Sequence, residues 1–390
     1  MNISITGYSL VGPGYNLSSN PVAAQDEYRE TLLKVFRNNS AELFSRKKLG
    51  DRELTISAIG VETGGISTDT LPRFVKTGEL AFLGLGYISE LKQKGTGYII
   101  SSSKGGLDIL SEAVNNPNIW KNNPELFSYC HTDGLLNYLR DKYNLSGPMK
   151  CNVNACSTGL DAIIQGSKWL IDGVCERVVV GVSETNLIDV ILAGFANMGV
   201  VADGVSVPFS RDRNGFIPSE GAAFVVLEKT NNTKYPQIMG WGQVNDAYHP
   251  TSFSPDNYSI ATAMEQALTS VGLKPSDIGF IKAHGTGTTL NDKIEADNIY
   301  KIFGSDIPVS SYKSAFGHLL GTSGIFELAV MLTLDEEGLT PTTMGLTPEN
   351  LDTKLPPLKY FHDTKAPRYS ILNAFGFGGS ISSLVVGKPE

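Results

Sequence analysis

Three side chains in this sequence combine reactive chemistry with an unusual setting. Cys156 lies in "NVNACSTGL" (152–160), His284 in "FIKAHGTGT" (280–288) and His318 in "VSSYKSAFGHLLGTSG" (309–324). Each follows an apolar, β-branched run and is framed by glycine and other small residues. A thiol at a helix start faces unsatisfied backbone N–H groups and the positive end of the helix dipole. Both favour the thiolate, so a depressed thiol pKa is expected for Cys156. Histidine offers a donor or acceptor close to neutral pH. Singly, each has a plainer reading: a lone cysteine more often packs as an inert small residue, and a lone histidine more often serves structure. Two of only five histidines in such segments weigh against the plain reading. Cys130, Cys151 and Cys175 lack such a setting, as do His131, His249 and His362.

A fourth segment, "ILNAFGFGG" (371–379), shares the pattern. Its N–H groups could face an oxyanion; a glycine-rich turn is the simpler alternative. His284 and His318 have no HxxxH spacing and no third ligand in view, so no metal is expected. "GTGT" (285–288) lacks GxxxxGK[ST] and is a weak phosphate signal. Thr286 and Thr288 read better as hydroxyl groups for an amide-bearing substrate.

These segments need strands and helices to bring them together. Strands are expected at Ile3–Thr6, Tyr98–Ser102, Arg177–Val182, Phe224–Glu228, Gly279–Ala283, Ile307–Ser311 and Leu384–Gly387. Helical periodicity runs through Glu79–Gln93, Ser157–Leu170, Ile260–Val271 and Ile325–Leu334. The alternation indicates an α/β architecture with much parallel pairing. In such sheets ligands sit at the carboxyl ends of strands. A weak repeat aligns Gly159 with Gly324 at an offset of 165, and Phe224 with Leu384 at an offset of 160. Two related halves are therefore expected, 1–235 and 236–390, joined near "TNNTKYP" (230–236).

The totals narrow the function classes. The 390 residues carry 32 basic and 40 acidic side chains, for a net charge of -8. That argues against broad binding to nucleic acid or an anionic membrane. The four cysteines form no CxxC pair, so reduced thiols in a cytoplasmic protein are expected. "MNISITGYSL" has no signal-peptide pattern, and no apolar run is long enough to span a bilayer.

Taken in order, ACSTG, RNGFIPSEGAA, HGTGT, KSAFGH and NAFGFGG resemble the β-ketoacyl synthase family, the decarboxylating condensing enzymes of the thiolase superfamily. The resemblance implies two similar α/β halves in a five-layered α-β-α-β-α body. Cys156, His284 and His318 together resemble the elongating branch, which takes both substrates from acyl carrier protein (ACP). It implies an acyltransferase with Cys156 as nucleophile, His284 and His318 acting on a malonyl thioester, and no cofactor. Lys313 and Glu327 match a buried family pair; either alone would be costly to bury. Asp292 and Glu295 match charged family positions. The resemblance further implies an oxyanion hole from the amides of Cys156 and Phe377, and pantetheine binding by Thr286 and Thr288. Gating would fall to Phe375 and Phe377. ACP docking would use Arg213, with Arg73 and Lys76 as further candidates, and the assembly would be a homodimer or a ketosynthase heterodimer.

Some positions depart from the family. "SSSKGG" (101–106) places Lys104 near the acyl pocket, which argues against a plain long saturated chain. "GFANMGVVA" (194–202) resembles synthases of polyene clusters, such as aryl polyenes, more than those of fatty-acid synthesis. The competing readings are a chain-length-factor-like partner subunit and a Cys-His thioester hydrolase.

Overall fold

The computed structural model describes residues 3–15, 20–38, 43–59, 71–185, 187–230, 232–254, 258–362 and 365–388. Ten strands form one mixed sheet: β1 (Ile3–Val11), β2 (Thr96–Ser101), β3 (Met149–Lys150), β4 (Arg177–Glu184), β5 (Gly221–Lys229), β6 (Gln237–Asn245), β7 (Phe280–Lys282), β8 (Val309–Ser310), β9 (Tyr369–Gly376) and β10 (Ser380–Gly387). A separate hairpin pairs Ser45–Leu49 with Arg52–Ile56.

The strand order is β8-β7-β9-β10-β6-β1-β5-β4-β2-β3. Adding five to each number of one five-strand set gives the other, in mirror order about the centre. The sets meet where Ile3 pairs with Ile238 and Ser4 with Gln237, extended by the Ile5 amide donating to the Pro236 carbonyl at 2.8 Å. Within each set the pairing directions also repeat. β4, β2 and β3 run parallel, as do β9, β7 and β8. The remaining pairs are antiparallel, so parallel pairing is less extensive than the alternation suggested.

The longer helices among the described residues, each of ten residues or more, are α1 (Pro21–Asn38), α2 (Arg73–Gly84), α3 (Gly134–Tyr143), α4 (Thr158–Ile171), α5 (Ser259–Thr269), α6 (Thr289–Phe303) and α7 (Ser323–Glu336). α2 covers β1, β4 and β5 on one outer face, and α5 covers β6 and β10 on the other. Between the two halves lie α4, against β2, β4 and β10, and α7, against β1, β5 and β9. Helices and sheet halves thus stack as α-β-α-β-α. α7 is buried all round from Ser323 to Leu334, as a helix in a central layer must be.

The two central helices meet at their first turns. A Cβ on Gly159 would stand 2.7 Å from the Ile325 amide nitrogen, and one on Gly324 would stand 2.8 Å from Leu160 Cγ. Only glycine permits this approach from both sides. The 165-residue offset extends to the backbone. Ala155 (φ 45°) and Leu320 (φ 50°) both adopt left-handed conformations that side chains disfavour. Each opens a one-turn 3₁₀ helix, Ala155–Ser157 and Leu320–Thr322, that leads into a central helix.

One expected helix is displaced. The stretch 79–93 is not continuous: α2 begins at Arg73, whose amide donates to the Asp108 carboxylate at 2.9 Å, and it ends at Gly84. Gly86, at φ 83°, breaks the path before a short turn over Ile88–Leu91.

Candidate active site

Cys156 is placed by a polar clamp that ties the first half to the second. Thr158 Oγ1 accepts from the Asn154 amide at 2.9 Å and donates to the Ala155 carbonyl at 2.7 Å, fixing the kink around Cys156. Asp161, one turn into α4, accepts from Asn154 and Ser382, and from Gln243 at 2.9 Å. Ser380, opening β10, contacts Asn154 at 2.6 Å and Ser157 at 2.9 Å. Cys156 is half-buried as a residue, with its side chain packed against an apolar wall of Phe195, Phe216 and Leu320.

The expected depression of the Cys156 pKa is not found. Burial pushes the thiol up to about 11, with Lys104 and Lys313 opposing and Glu184 adding to the rise. The cause is that apolar wall: desolvation of the thiolate outweighs the nearby positive charge.

His284 stands two residues past the carboxyl end of β7, and His318 follows β8 after a helical turn over Lys313–Phe316. Their rings are 5.4 Å apart at 82°. His284 is fixed by its main chain. Its amide donates to Glu295 at 2.7 Å, and its carbonyl accepts from Lys313 Nζ at 2.6 Å. Its ring lies 5.0 Å from that of Phe375, and its Nδ1 has no hydrogen-bond partner among the described residues. His318 is pinned across the halves: its amide donates to Ile217 O at 2.8 Å, and its carbonyl accepts from Ser219 at 3.1 Å. His318 Nδ1 faces Ser323 Oγ at 2.8 Å.

Burial holds both imidazoles well below the usual pKa, helped by the positive charge of Lys313 and Lys282. Both rings are therefore neutral at pH 7. A Ser323 hydroxyl that donates to Nδ1 would leave the His318 proton on Nε2.

Beneath the histidines lies a charged network. Glu327 accepts from Lys313 at 2.7 Å through one oxygen and from Lys282 through the other. All three side chains are buried. Lys282 escaped the reading of the sequence, because a single lysine at the end of "FIK" passes for a solvent-facing strand residue. Its signal was position, two residues before His284 at the end of an apolar run. Glu295 and Asp292 are also internal. Glu295 accepts from the amides of His284 and Gly285, and Asp292 from those of Phe209 and Gly287.

Cys156, His284, His318, Thr286, Thr288, Phe375 and Phe377 all line one cavity of about 270 Å³. Thr286 and Thr288 touch through their hydroxyls at 2.9 Å. The two phenylalanines differ in freedom. Phe375 is buried in β9 between His284 and Phe253, whereas Phe377, 37% exposed, tops the loop to β10. Gly376 backs this loop onto Cys156: a Cβ there would stand 3.3 Å from the Cys156 amide nitrogen.

The basic residues fare differently. The Arg213 side chain is only 2% exposed. It bonds to Asp352 at 2.7 Å and to the Ser210 and Thr289 carbonyls, and lies 3.6 Å from Asp292. A cation so committed cannot serve as a surface docking contact, and that expectation is corrected. Arg73 is likewise engaged, with buried Glu220 at 2.5 Å. Lys76 is partly exposed on α2. Lys104 donates to Ser103 Oγ at 3.1 Å, with its ammonium 6.0 Å from the Phe195 ring on the apolar wall. Among the described residues no helix is long and apolar enough to cross a membrane.

The sequence matches the patterns of the beta-ketoacyl synthase N-terminal domain over residues 73–233 and the beta-ketoacyl synthase C-terminal domain over residues 235–347. It is 32% identical over 319 residues to a 3-oxoacyl-[acyl-carrier-protein] synthase 2 of Rhizobium meliloti (strain 1021), covering 76% of this chain and 75% of that protein. A synthase of the same name from Vibrio harveyi is 30% identical over 325 residues, covering 77% of each. Among solved structures, the ketosynthase (ApeO) in complex with its chain length factor (ApeC) from Xenorhabdus doucetiae superposes with a TM-score of 0.85 at 23% identity, covering 99% of this chain and 98% of that one. A beta-ketoacyl synthase from Burkholderia phymatum STM815 gives 0.82 at 23% identity over the full length of both chains. At those identities the structures establish the fold.

Proposed function

This chain belongs to the β-ketoacyl synthase family, and from that premise we propose that it is an elongating β-ketoacyl-ACP synthase carrying its acyl group on Cys156. The observation that supports this most is the meeting of Cys156, His284 and His318 in one apolar-walled cavity, with both histidines neutral. The reaction is a ping-pong acyl transfer. Cys156 attacks an acyl thioester presented on the phosphopantetheine arm of an ACP, and the carrier thiol leaves. The amides of Cys156 and Phe377 receive the oxyanion; one such donor is worth about 2.7–4 kcal/mol of barrier. Thr286 and Thr288 hold the pantetheine amides, and Phe377, with Phe375 behind it, gates between the two acyl groups.

Malonyl-ACP then binds. The malonyl carbon loses CO2, and its bonding electrons pass to the thioester oxygen as an enolate. His284 and His318 donate N–H to that oxygen; neutral donors do this without forming a tight ion pair with the substrate carboxylate. The enolate carbon bonds to the acyl carbon, the acyl–sulfur bond breaks, and the thiolate takes up a proton. Lys313 and Glu327 hold His284 from beneath. The scheme requires no metal or redox cofactor. The high thiol pKa is consistent with a nucleophile that ionises only as its substrate binds.

The partners on this reading are an acyl- and a malonyl-ACP, and a second ketosynthase chain, identical or not. With Arg213 internal, docking falls to exposed cations, of which Arg211, 61% exposed in the same loop, is the nearest in sequence. Lys104 behind Phe195 favours an acyl chain with a polar or unsaturated segment. Reduced thiol chemistry suits a cytoplasmic setting. The hydrolase alternative needs a histidine oriented by a carboxylate or amide side chain; His318 meets a serine hydroxyl instead.

Intact mass after incubation with acyl-ACP tests the assignment. An acyl adduct should form on the wild type and be absent from C156A. Added malonyl-ACP should then release CO2 and a β-ketoacyl-ACP two carbons longer. No adduct, an adduct that survives C156A, or release of free acid would overturn the assignment, the last in favour of a hydrolase.

A further inference from the structure

Lys282 is a buried cation beneath the histidines that the mechanism above does not use. Its side chain is 0% exposed, and it closes β7, two residues before His284. Its ammonium donates to Glu327 Oε2 and, at 3.3 Å, to the main-chain carbonyl of Asn373 in β9. The Asn373 side chain donates to Glu295 at 3.1 Å, and Glu295 accepts from the His284 amide at 2.7 Å. On the other side, Glu327 accepts from Lys313 at 2.7 Å, and Lys313 donates to the His284 carbonyl at 2.6 Å.

These contacts form a closed ring. It runs from the His284 carbonyl through Lys313, Glu327, Lys282, Asn373 and Glu295 back to the His284 amide. Lys282 is its closing link: without it, the arm on the carbonyl and the arm on the amide are no longer joined. The ring holds two ammonium groups and two carboxylates, so it balances its own charge.

We propose that Lys282 is a positioning residue for decarboxylation, joining the two arms that fix the His284 main chain and so setting the ring of His284 against its partner. This rests on the reading of His284 and His318 as the pair that acts on the malonyl thioester. A pair that must place two N–H groups on one oxygen is sensitive to small displacements: about 1 Å of misplacement costs on the order of a hundredfold. Acylation of Cys156 uses neither histidine in this scheme, so a positioning role predicts damage to one half-reaction only.

A second consequence is electrostatic. The charged and titratable groups around the imidazoles are Lys313, Lys282, Lys104, Glu327, Glu295, Cys156 and the other histidine. Lys282 is among the cations that lower both imidazole pKa values, after burial and Lys313. Removing its charge leaves Glu295 and Glu327 opposed by Lys313 and the more distant Lys104, so both values rise. The acid limb of decarboxylation then moves to higher pH.

The test uses K282M, which keeps an unbranched chain, and K282Q, which keeps a donor without the charge. Glu327 retains Lys313 in both. Cys156 acylation from acyl-ACP is followed by intact mass, and malonyl-ACP decarboxylation by CO2 release from pH 5 to 8. Expected for each variant are acylation within about twofold of wild type, decarboxylation slower by roughly tenfold or more, and an acid limb shifted to higher pH. ¹⁵N-histidine spectra of the same proteins read that shift without turnover. Equal losses in both half-reactions, or unmoved histidine titrations, would overturn the assignment. So would failure of both variants to fold, which would make Lys282 a cation of the core. A wild type that does not decarboxylate malonyl-ACP would instead sink the functional reading, and the histidine spectra would still decide the case of Lys282.

Discussion

Replacing Glu327 with Gln keeps the shape of its side chain and removes the charge that two buried ammonium groups share. Lys282 and Lys313 are 0% and 2% exposed, and Glu327 is 1% exposed. Breaking a buried ion pair costs about 3–5 kcal/mol, because the surviving charge has no water to return to. Here two cations survive, so the upper end of that range applies at pH 7. The pH dependence carries a distinctive sign. Burial already lowers Lys282 to about 8, against the pull of Glu327. Without that pull its folded pKa falls further, while its unfolded value stays near about 10.4. In the variant the unfolded chain therefore binds one more proton than the folded chain across much of pH 6–8, and stability rises there by about 1.4 kcal/mol per pH unit. In the wild type the same gain begins only above pH 8. Urea midpoints followed by circular dichroism at pH 6, 7, 8 and 9 should show a gap between E327Q and wild type that narrows up to pH 8 and is then level. A gap under about 1 kcal/mol at pH 7, or one constant across pH 6–8, would refute the shared-carboxylate account.

Further outcomes follow from the same geometry. Ser323→Ala removes the hydroxyl on His318 Nδ1 and should slow malonyl-ACP decarboxylation roughly fivefold, equivalent to about 1 kcal/mol, with Cys156 acylation unchanged; an equal loss in both steps would contradict the tautomer role. Arg213→Met should lower stability by about 3 kcal/mol, read as a reduced melting temperature, while ACP affinity changes less than about twofold; the converse would restore Arg213 to the docking surface. Gly159→Ala places a methyl against the Ile325 amide and should cost about 1–3 kcal/mol despite the better helix propensity of alanine, visible as a lower urea midpoint. In wild type, decarboxylation should not lose rate between pH 7.5 and 6.5, because both imidazoles are already neutral there; an acid limb inside that window would show that they are not.

What could be read from the sequence was what is local. Cys156, His284 and His318 are flanked by small residues because strand ends, helix starts and ligands converge on them, and that crowding leaves a mark in the chain. The 165-residue offset between Gly159 and Gly324 was visible because each glycine meets the other's helix, and no larger residue fits. Properties set by distant partners left no such mark. Lys282 and Arg213 look like surface cations in their own segments; only the fold brings Glu327 to the one and Asp352 to the other. The Cys156 pKa failed for a similar reason. The helix start is written next to the thiol, but Phe195, Phe216 and Leu320, which desolvate it, come from elsewhere. The break after Gly84 was missed because apolar spacing continues across it, while the turn is set by Gly86.

The twin kinks at Ala155 and Leu320 bear on how many acyl groups one chain can carry. Moving 165 residues on from Cys156 leads to Gly321, the matching place in the second half. There a Cβ would stand 2.6 Å from Glu184 Oε1. The duplicated frame therefore repeats the backbone place of Cys156, and a carboxylate of the first half packs against the second copy of it. On the function proposed above this leaves Cys156 as the one acyl site in that frame, and a cysteine grafted at position 321 would meet Glu184 before it met a substrate.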